Sequence, residues 1–164
     1  MKILNVHKRI IDKPISEVAV LLNSLSSNND KLWPHEKWAP MKLDRDLSEG
    51  AIGGHGPIKY AVTDYKPGYK INFRFIEPSG FQGNHWFELI EKEEKKTEII
   101  HTISMSISGS AVLSWPIIIR PLHNALIEDS FDKVQKHFGI ETDTNNWSPW
   151  VKFLKLVFKR KKAE

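Results

Sequence analysis

The chain has 164 residues, 40% of them apolar and 27% charged, which suits a folded domain with its own core rather than a disordered chain. It contains no cysteine, which excludes disulfides, thiolate metal sites and cysteine nucleophiles. The formal net charge of +4 is unevenly placed: six of the 24 basic residues and one of the 20 acidic residues lie from Trp147 onward. That stretch therefore carries +5, while the first 146 residues hold 18 basic and 19 acidic groups, a net of −1. A body without basic excess argues against a nucleic-acid partner.

The opening stretch, MKILNVHKRI, has no long apolar core and no small-residue cleavage site, so it does not read as a signal peptide. No uncharged apolar run approaches the ~20 residues that span a bilayer. A cytoplasmic location is the expectation. KILNVHKRII alternates as a strand, with Leu4, Val6 and Ile10 on one face and Ile3, His7 and Arg9 on the other. Pro14 suits a first helical turn, and Ile15, Val18, Ala19 and Leu22 follow at helical spacing. NNDKLW reads as one further short turn of helix.

The middle of the chain is strand-rich. KLDRDL is a candidate strand and AIGGHGP a glycine loop. PIKYAVTDY, YKINFRFIE, NHWFELIEK and TEIIHTISMSIS each alternate, separated by KPG, EPSGFQG and KEEK. Connections this short imply an antiparallel meander. Beyond Gly109 the period changes to helical and the pattern stops at Gly139, a good residue just past a helix end. Pro121 cannot sit in a straight helix without removing a hydrogen bond, so the spacing predicts either a start near Arg120 or a kink there.

This order of elements resembles the helix-grip fold of the START-like (SRPBCC) superfamily, which includes the polyketide cyclase and lipid-transport group. LWPHEKWAPM, GGHGPIKY, GFQGNHWFEL and WPIIIRPLHNALIEDSFD resemble a bacterial branch of that superfamily, and the resemblance covers roughly residues 2–139. It implies an α+β fold: a curved antiparallel sheet of six or seven strands wrapped around a long C-terminal helix, with short N-terminal helices. It also implies a mostly apolar cavity between sheet and helix, and a hydrophobic small molecule or lipid as the ligand. The superfamily shares no catalytic motif, so no residue role is carried over, and no cofactor or metal is implied.

Periodicity identifies the residues facing that interior. Ile99, His101, Ile103, Met105 and Ile107 share the apolar face of one strand, and His85, Phe87 and Leu89 share a face of the strand before it. Pairing Leu89 with Ile99 sets Phe87 opposite His101 and leaves His85 diagonal; pairing Phe87 with Ile99 sets the two histidines face to face. On the long helix, His123, Ile127, Phe131, Val134 and Phe138 form one apolar stripe, with Glu128, Asp132 and Gln135 opposite. Phe73 and Phe75 point inward if Arg74 points out. The expected ligand contacts are therefore His85, Phe87, His101, Ile103, Met105, His123, Ile127, Phe73 and Phe75. The three imidazoles suit polar anchoring of a ligand, with acid–base chemistry of cyclase, dehydratase or hydrolase type as the alternative. No short ligand spacing such as H-x-x-x-H favours a metal.

Four further features complete the expectations. GGHGP leads into a strand rather than a helix, so it does not read as a phosphate loop, and His55 is expected at the cavity mouth or on the surface. Trp33 and Trp38 are expected to cap one end of the core. Glu128 and Asp129 are expected on a solvated helix face. After a linker at 140–146, residues 147–164 read as a basic amphipathic helix largely independent of the domain at 1–139. Its Trp150, Lys152, Phe153, Lys155, Phe158 and Lys159 are candidates to meet an anionic membrane or a partner such as a second copy of the chain, the alternative being an appendage that packs on the domain itself.

Overall fold

The structure is a computed structural model, and it describes residues 1–142 and 146–160, without the side chains of 159 and 160. Seven antiparallel strands form one sheet in the order β1-β7-β6-β5-β4-β3-β2. They are β1 (Lys2–Ile11), β2 (Lys42–Leu43), β3 (Ile52–His55), β4 (Ile58–Lys66), β5 (Lys70–Glu77), β6 (Phe81–Glu93) and β7 (Lys96–Ile107). Helix α1 (Ile15–Asn23) follows β1 and buries Val18, Leu21 and Leu22. The C-terminal half runs as α2 (Ala111–Ser114), a π-helical turn (Trp115–Ile119), α3 (Arg120–His137) and α4 (Pro149–Arg160). The curved sheet grips α3, as the resemblance implies.

The β6–β7 register pairs Leu89 with Ile99 and Phe87 with His101, the first of the two alternatives above. Ile99, His101, Ile103, Met105 and Ile107 are all buried, and Arg74 is exposed. Two segments read as loop or turn are strand. AIGGHGP contains β3, which lies so close to its neighbours that a Cβ on Gly53 or Gly54 would stand 1.9 Å from a backbone oxygen. GFQG opens β6, where Gly83 has φ +152° and no room for a side chain against Ser104 and Met105. KLDRDL keeps strand structure only at Lys42–Leu43, and NNDKLW forms turns rather than helix.

The long helix shows how Pro121 is accommodated. Arg120 N–H bonds to Trp115 O, five residues back, so the chain enters α3 through a π turn. Pro121 has no N–H to offer Ile117 O, and that carbonyl instead accepts Trp150 Nε1–H of α4 at 2.7 Å. At the other end Gly139 (φ +69°) closes the helix, and Ile140 N–H reaches back to Gln135 O at 3.0 Å.

Packing between distant segments decides which face of β1 is covered and corrects the expected solvated face of the long helix. Leu4, Val6 and Ile10, the more apolar face of β1, point to solvent, Leu4 being 73% exposed. The polar face of β1 turns inward, and this changes the environment of α3. Glu128, Asp132 and Gln135 are not a solvated stripe: Arg9 of β1 bonds to Glu128 (2.6 Å), Asp132 (3.0 Å) and Gln135. Asp129 is 2% exposed and accepts Lys37 Nζ (2.7 Å), Trp38 Nε1 (2.8 Å) and Trp147 Nε1 (2.8 Å). Trp33 is buried and Trp38 half-buried, and both belong to the core.

The tail helix is also not independent. Val151 and Leu154 of α4 are buried, and Lys155 Nζ bonds to Lys37 O while lying 3.6 Å and 3.9 Å from the ring centres of Trp38 and Trp147. Trp150, Lys152, Phe153 and Phe158 stay exposed, and Lys155 is half-buried. The side chain of Lys159 lies outside the described residues. Among the described residues, no helix is long and apolar enough to cross a membrane.

Candidate functional site

The interior between sheet and α3 contains two apolar clusters. One is built on α1, Trp33, Tyr60, Phe73, Phe87 and the later turns of α3; the other joins Phe81, Ile103, Met105, Ile107, Ala111 and Trp115. Histidines lie between them. His85 (β6) and His101 (β7) are 6% and 2% exposed, with ring centres 5.6 Å apart. His123 reaches down from the first turn of α3 to 4.9 Å from His101, and Trp115 covers it at 6.4 Å. Alternation along the two strands and the 3.6-residue period of α3 place these three rings, so they meet as the sequence predicts.

The row is longer than the sequence suggests. At one end His7 of β1 stands directly opposite His101 in the strand register and 5.8 Å from His123. At the other, Tyr60 of β4 lies 4.9 Å from His85 and hydrogen-bonds through its hydroxyl to His55 Nδ1 at 3.1 Å. His55 is half-buried, with its ring against Trp33 at 4.7 Å. It therefore does not stand free on the surface, one of its two expected places. The sequence pattern does not single out Tyr60 or His7 as members of the row, because each sits in a strand whose alternation gives its face but not its neighbours. The signal for His7 was its shared face with Ile3 and Arg9.

The remaining predicted contacts surround this row. His85 stacks on Phe73 and Phe75, both at 4.8 Å, and Phe87 meets His101 edge-on at 4.5 Å. Phe73, Phe87, Ile103, Met105 and Ile127 are buried and Phe75 is half-buried. The nine residues thus share one interior.

Hydrogen bonding along the row is unequal. His7 is satisfied, with Nδ1 on Glu128 (2.7 Å) and Nε2 on Asn124 (3.1 Å). In contrast, His85 Nε2, His101 Nδ1 and both ring nitrogens of His123 are buried without a hydrogen-bond partner within the protein. Burial pushes all four interior imidazoles down: His55 to about 4, His123 to about 3, and His85 and His101 well below the ordinary value. Mutual repulsion adds to this for His85, His101 and His123. These rings are therefore neutral at pH 7, each with one N–H and one lone pair. Burial, then the Asp30 carboxylate, pushes the Tyr60 phenol well above its usual value, so it too is neutral. Among the described residues, no group of three or more His, Cys, Asp or Glu is arranged to hold a metal ion.

No protein-family model matches this sequence. No curated protein matches it either. Solved structures do. Norcoclaurine synthase from Thalictrum flavum, in complex with dopamine and hydroxybenzaldehyde, is 11% identical and aligns over 87% of this chain and 90% of its own, with a TM-score of 0.62. CalU16 from Micromonospora echinospora is 14% identical over 98% of this chain and 84% of its own (TM-score 0.58). A protein from Nitrosospira multiformis is 16% identical over 84% and 96% (TM-score 0.60). At such identities the likeness is one of fold, and it agrees with strand order, register and the gripped helix: this chain has a helix-grip fold.

Proposed function

We propose that this protein binds or carries a hydrophobic small molecule or lipid between the sheet and α3, with the ligand's polar groups on His85, His101 and His123. The observation that carries this reading is the set of four buried ring nitrogens without a partner. A buried polar group left unpaired costs about 1–3 kcal/mol, and a bound ligand that supplies the hydrogen bonds would offset that cost. Phe73, Phe75, Phe87, Ile103, Met105 and Ile127 supply the apolar walls such pockets usually have. The small aromatic compounds bound by norcoclaurine synthase support a ligand of that size in a fold of this kind.

Native mass spectrometry of the full chain tests the reading by looking for a co-purifying organic mass. The same mass should be reduced or lost in His101→Phe while the protein remains folded. An identical ligand load in His85→Phe and His101→Phe would rule out the anchoring role.

The Tyr60–His55 pair favours a second reading, a small-molecule enzyme of cyclase, dehydratase or hydrolase type. A phenol hydrogen-bonded to an imidazole at 3.1 Å, one ring away from His85, places a proton donor and a lone pair side by side, the elements that acid–base chemistry on a ligand would use. Turnover that is abolished in Tyr60→Phe while ligand binding persists would decide for the enzyme.

The tail would bring the carrier to its ligand's source. Trp150 and Phe153 stack on each other and are exposed, as are Leu156 and Phe158, with Lys152 beside them. An apolar edge on a stretch carrying +5 suits an anionic bilayer, where each basic group near the surface contributes about 1 kcal/mol. Phe153→Asp should reduce co-sedimentation with anionic vesicles and leave the fold intact. Unchanged sedimentation would remove the membrane role, and a concentration-dependent dimer lost in the same variant would assign the edge to a second copy.

A further inference from the structure

Resting on the carrier reading above, we infer that the interior selects an uncharged ligand bearing hydroxyl groups, and excludes carboxylates and phosphates. The first support is the kind of hydrogen bond the row can make. His123 has neighbouring Asn124 close enough to act on it, but no hydrogen bond of good geometry reaches either ring nitrogen. A neutral imidazole has one donor and one acceptor, so a ligand satisfying it must accept at one atom and donate at another. A carboxylate or phosphate dianion only accepts. A hydroxyl does both, and His85 Nε2 and His101 Nδ1 each add one unpartnered site, donor or acceptor according to the tautomer, that a hydroxyl can meet in either state.

The second support is the placing of formal charge. The row from Tyr60 through His85, His101 and His123 contains no lysine or arginine. The cation next to its His7 end is Arg9, and it is already bound to Glu128 at 2.6 Å and Asp132 at 3.0 Å, two carboxylates to one guanidinium. Asp132 keeps its other oxygen, Oδ2, buried and without a partner, which leaves acceptor capacity there rather than donors. At the Tyr60 end the charge acting on the phenol is again that of a carboxyl group: Asp30, held by the backbone N–H groups of Ser26 (2.8 Å), Leu32 (2.9 Å) and Trp33 (2.7 Å). The Lys37 ammonium is bound to Asp129 at 2.7 Å and the Lys133 ammonium to Glu36 at 3.1 Å. An anion entering this interior would therefore lose its hydration while Arg9, Lys37 and Lys133 are already paired and carboxylates stand at both ends. An alcohol meets no such penalty.

Pyrenebutanol and pyrenebutyrate, matched except for the terminal group, provide the test. Both are titrated into the full chain at about pH 7.5, where the acid is ionised and the imidazoles are neutral. The alcohol should bind at least tenfold more tightly, and His101→Phe and His123→Phe should each weaken the alcohol several-fold while leaving the acid's weak binding unchanged. Equal affinities, or a tighter acid, would overturn the selectivity while leaving the carrier reading intact. Alcohol binding unaffected by both variants would overturn the role of the row. If neither probe binds and the full chain carries no co-purifying ligand, the carrier reading and the selectivity fall together.

Discussion

Replacing Asp129 with alanine is the most demanding test of the packing described above. Its carboxylate accepts two indole N–H groups, from Trp38 and Trp147, and the Lys37 ammonium, all between 2.7 and 2.8 Å. Removing it leaves two largely buried donors unpaired, at about 1–2 kcal/mol each. Lys37 is more than a third exposed and can turn to water, so its share is discounted to under about 1 kcal/mol. The total is about 2–5 kcal/mol, which for a chain of this size lowers Tm by on the order of 10 °C. Thermal unfolding followed by tryptophan fluorescence measures it, and Trp38 and Trp147 report from the site itself. A double-mutant cycle sharpens the assignment: Trp147→Phe should cost about 1 kcal/mol less in the Asp129→Ala background than in the parent. A shift within about 2 °C, with additive mutants, would mean that Asp129 is the solvated helix residue its sequence position suggests.

The histidine row predicts acid sensitivity beginning near neutral pH. The folded-state pKa values of His55, His85, His101 and His123 are depressed below the unfolded value, so the unfolded chain binds more protons as pH falls through about 6.5. Stability is therefore full above that pH and declines below it toward the folded values, by up to about 1.4 kcal/mol per pH unit for each ring. Urea unfolding at several pH values should show this slope, and His101→Phe should flatten it by about one proton; a midpoint constant from about pH 7 to 5 would contradict it. The same variant removes a buried, unpartnered Nδ1, so at pH 7 it should change stability by no more than about 1 kcal/mol, a small loss from added volume offsetting the gain. A loss above about 3 kcal/mol would show that the nitrogen has a partner. Trp150→Phe removes the donor that satisfies Ile117 O, and should raise amide exchange across 149–158 by about three- to tenfold, equivalent to about 1 kcal/mol. Unchanged exchange would mean that this bond does not hold α4 on the domain.

Much of this molecule was legible in the sequence wherever one local period decided the outcome. The faces of β6 and β7, the apolar stripe of α3 and its stop at Gly139 follow from side-chain spacing and backbone stereochemistry. His85, His101 and His123 could therefore be assigned to one interior before any contact was known. Periodicity says which residues share a face; it does not say what covers that face. Leu4, Val6 and Ile10 of β1 look like a core stripe yet point to solvent, because Asn5, His7 and Arg9 on the other face match the polar side of α3. Glu128, Asp129 and Asp132 look solvated, but α3 is covered on several sides: β1 supplies His7 and Arg9, and the loop before β2 and the lead into α4 supply Lys37, Trp38 and Trp147. Burying a carboxylate is tolerated only where donors meet it, and those donors lie up to 123 residues away in the chain. That matching between distant segments was decided by the tertiary structure alone.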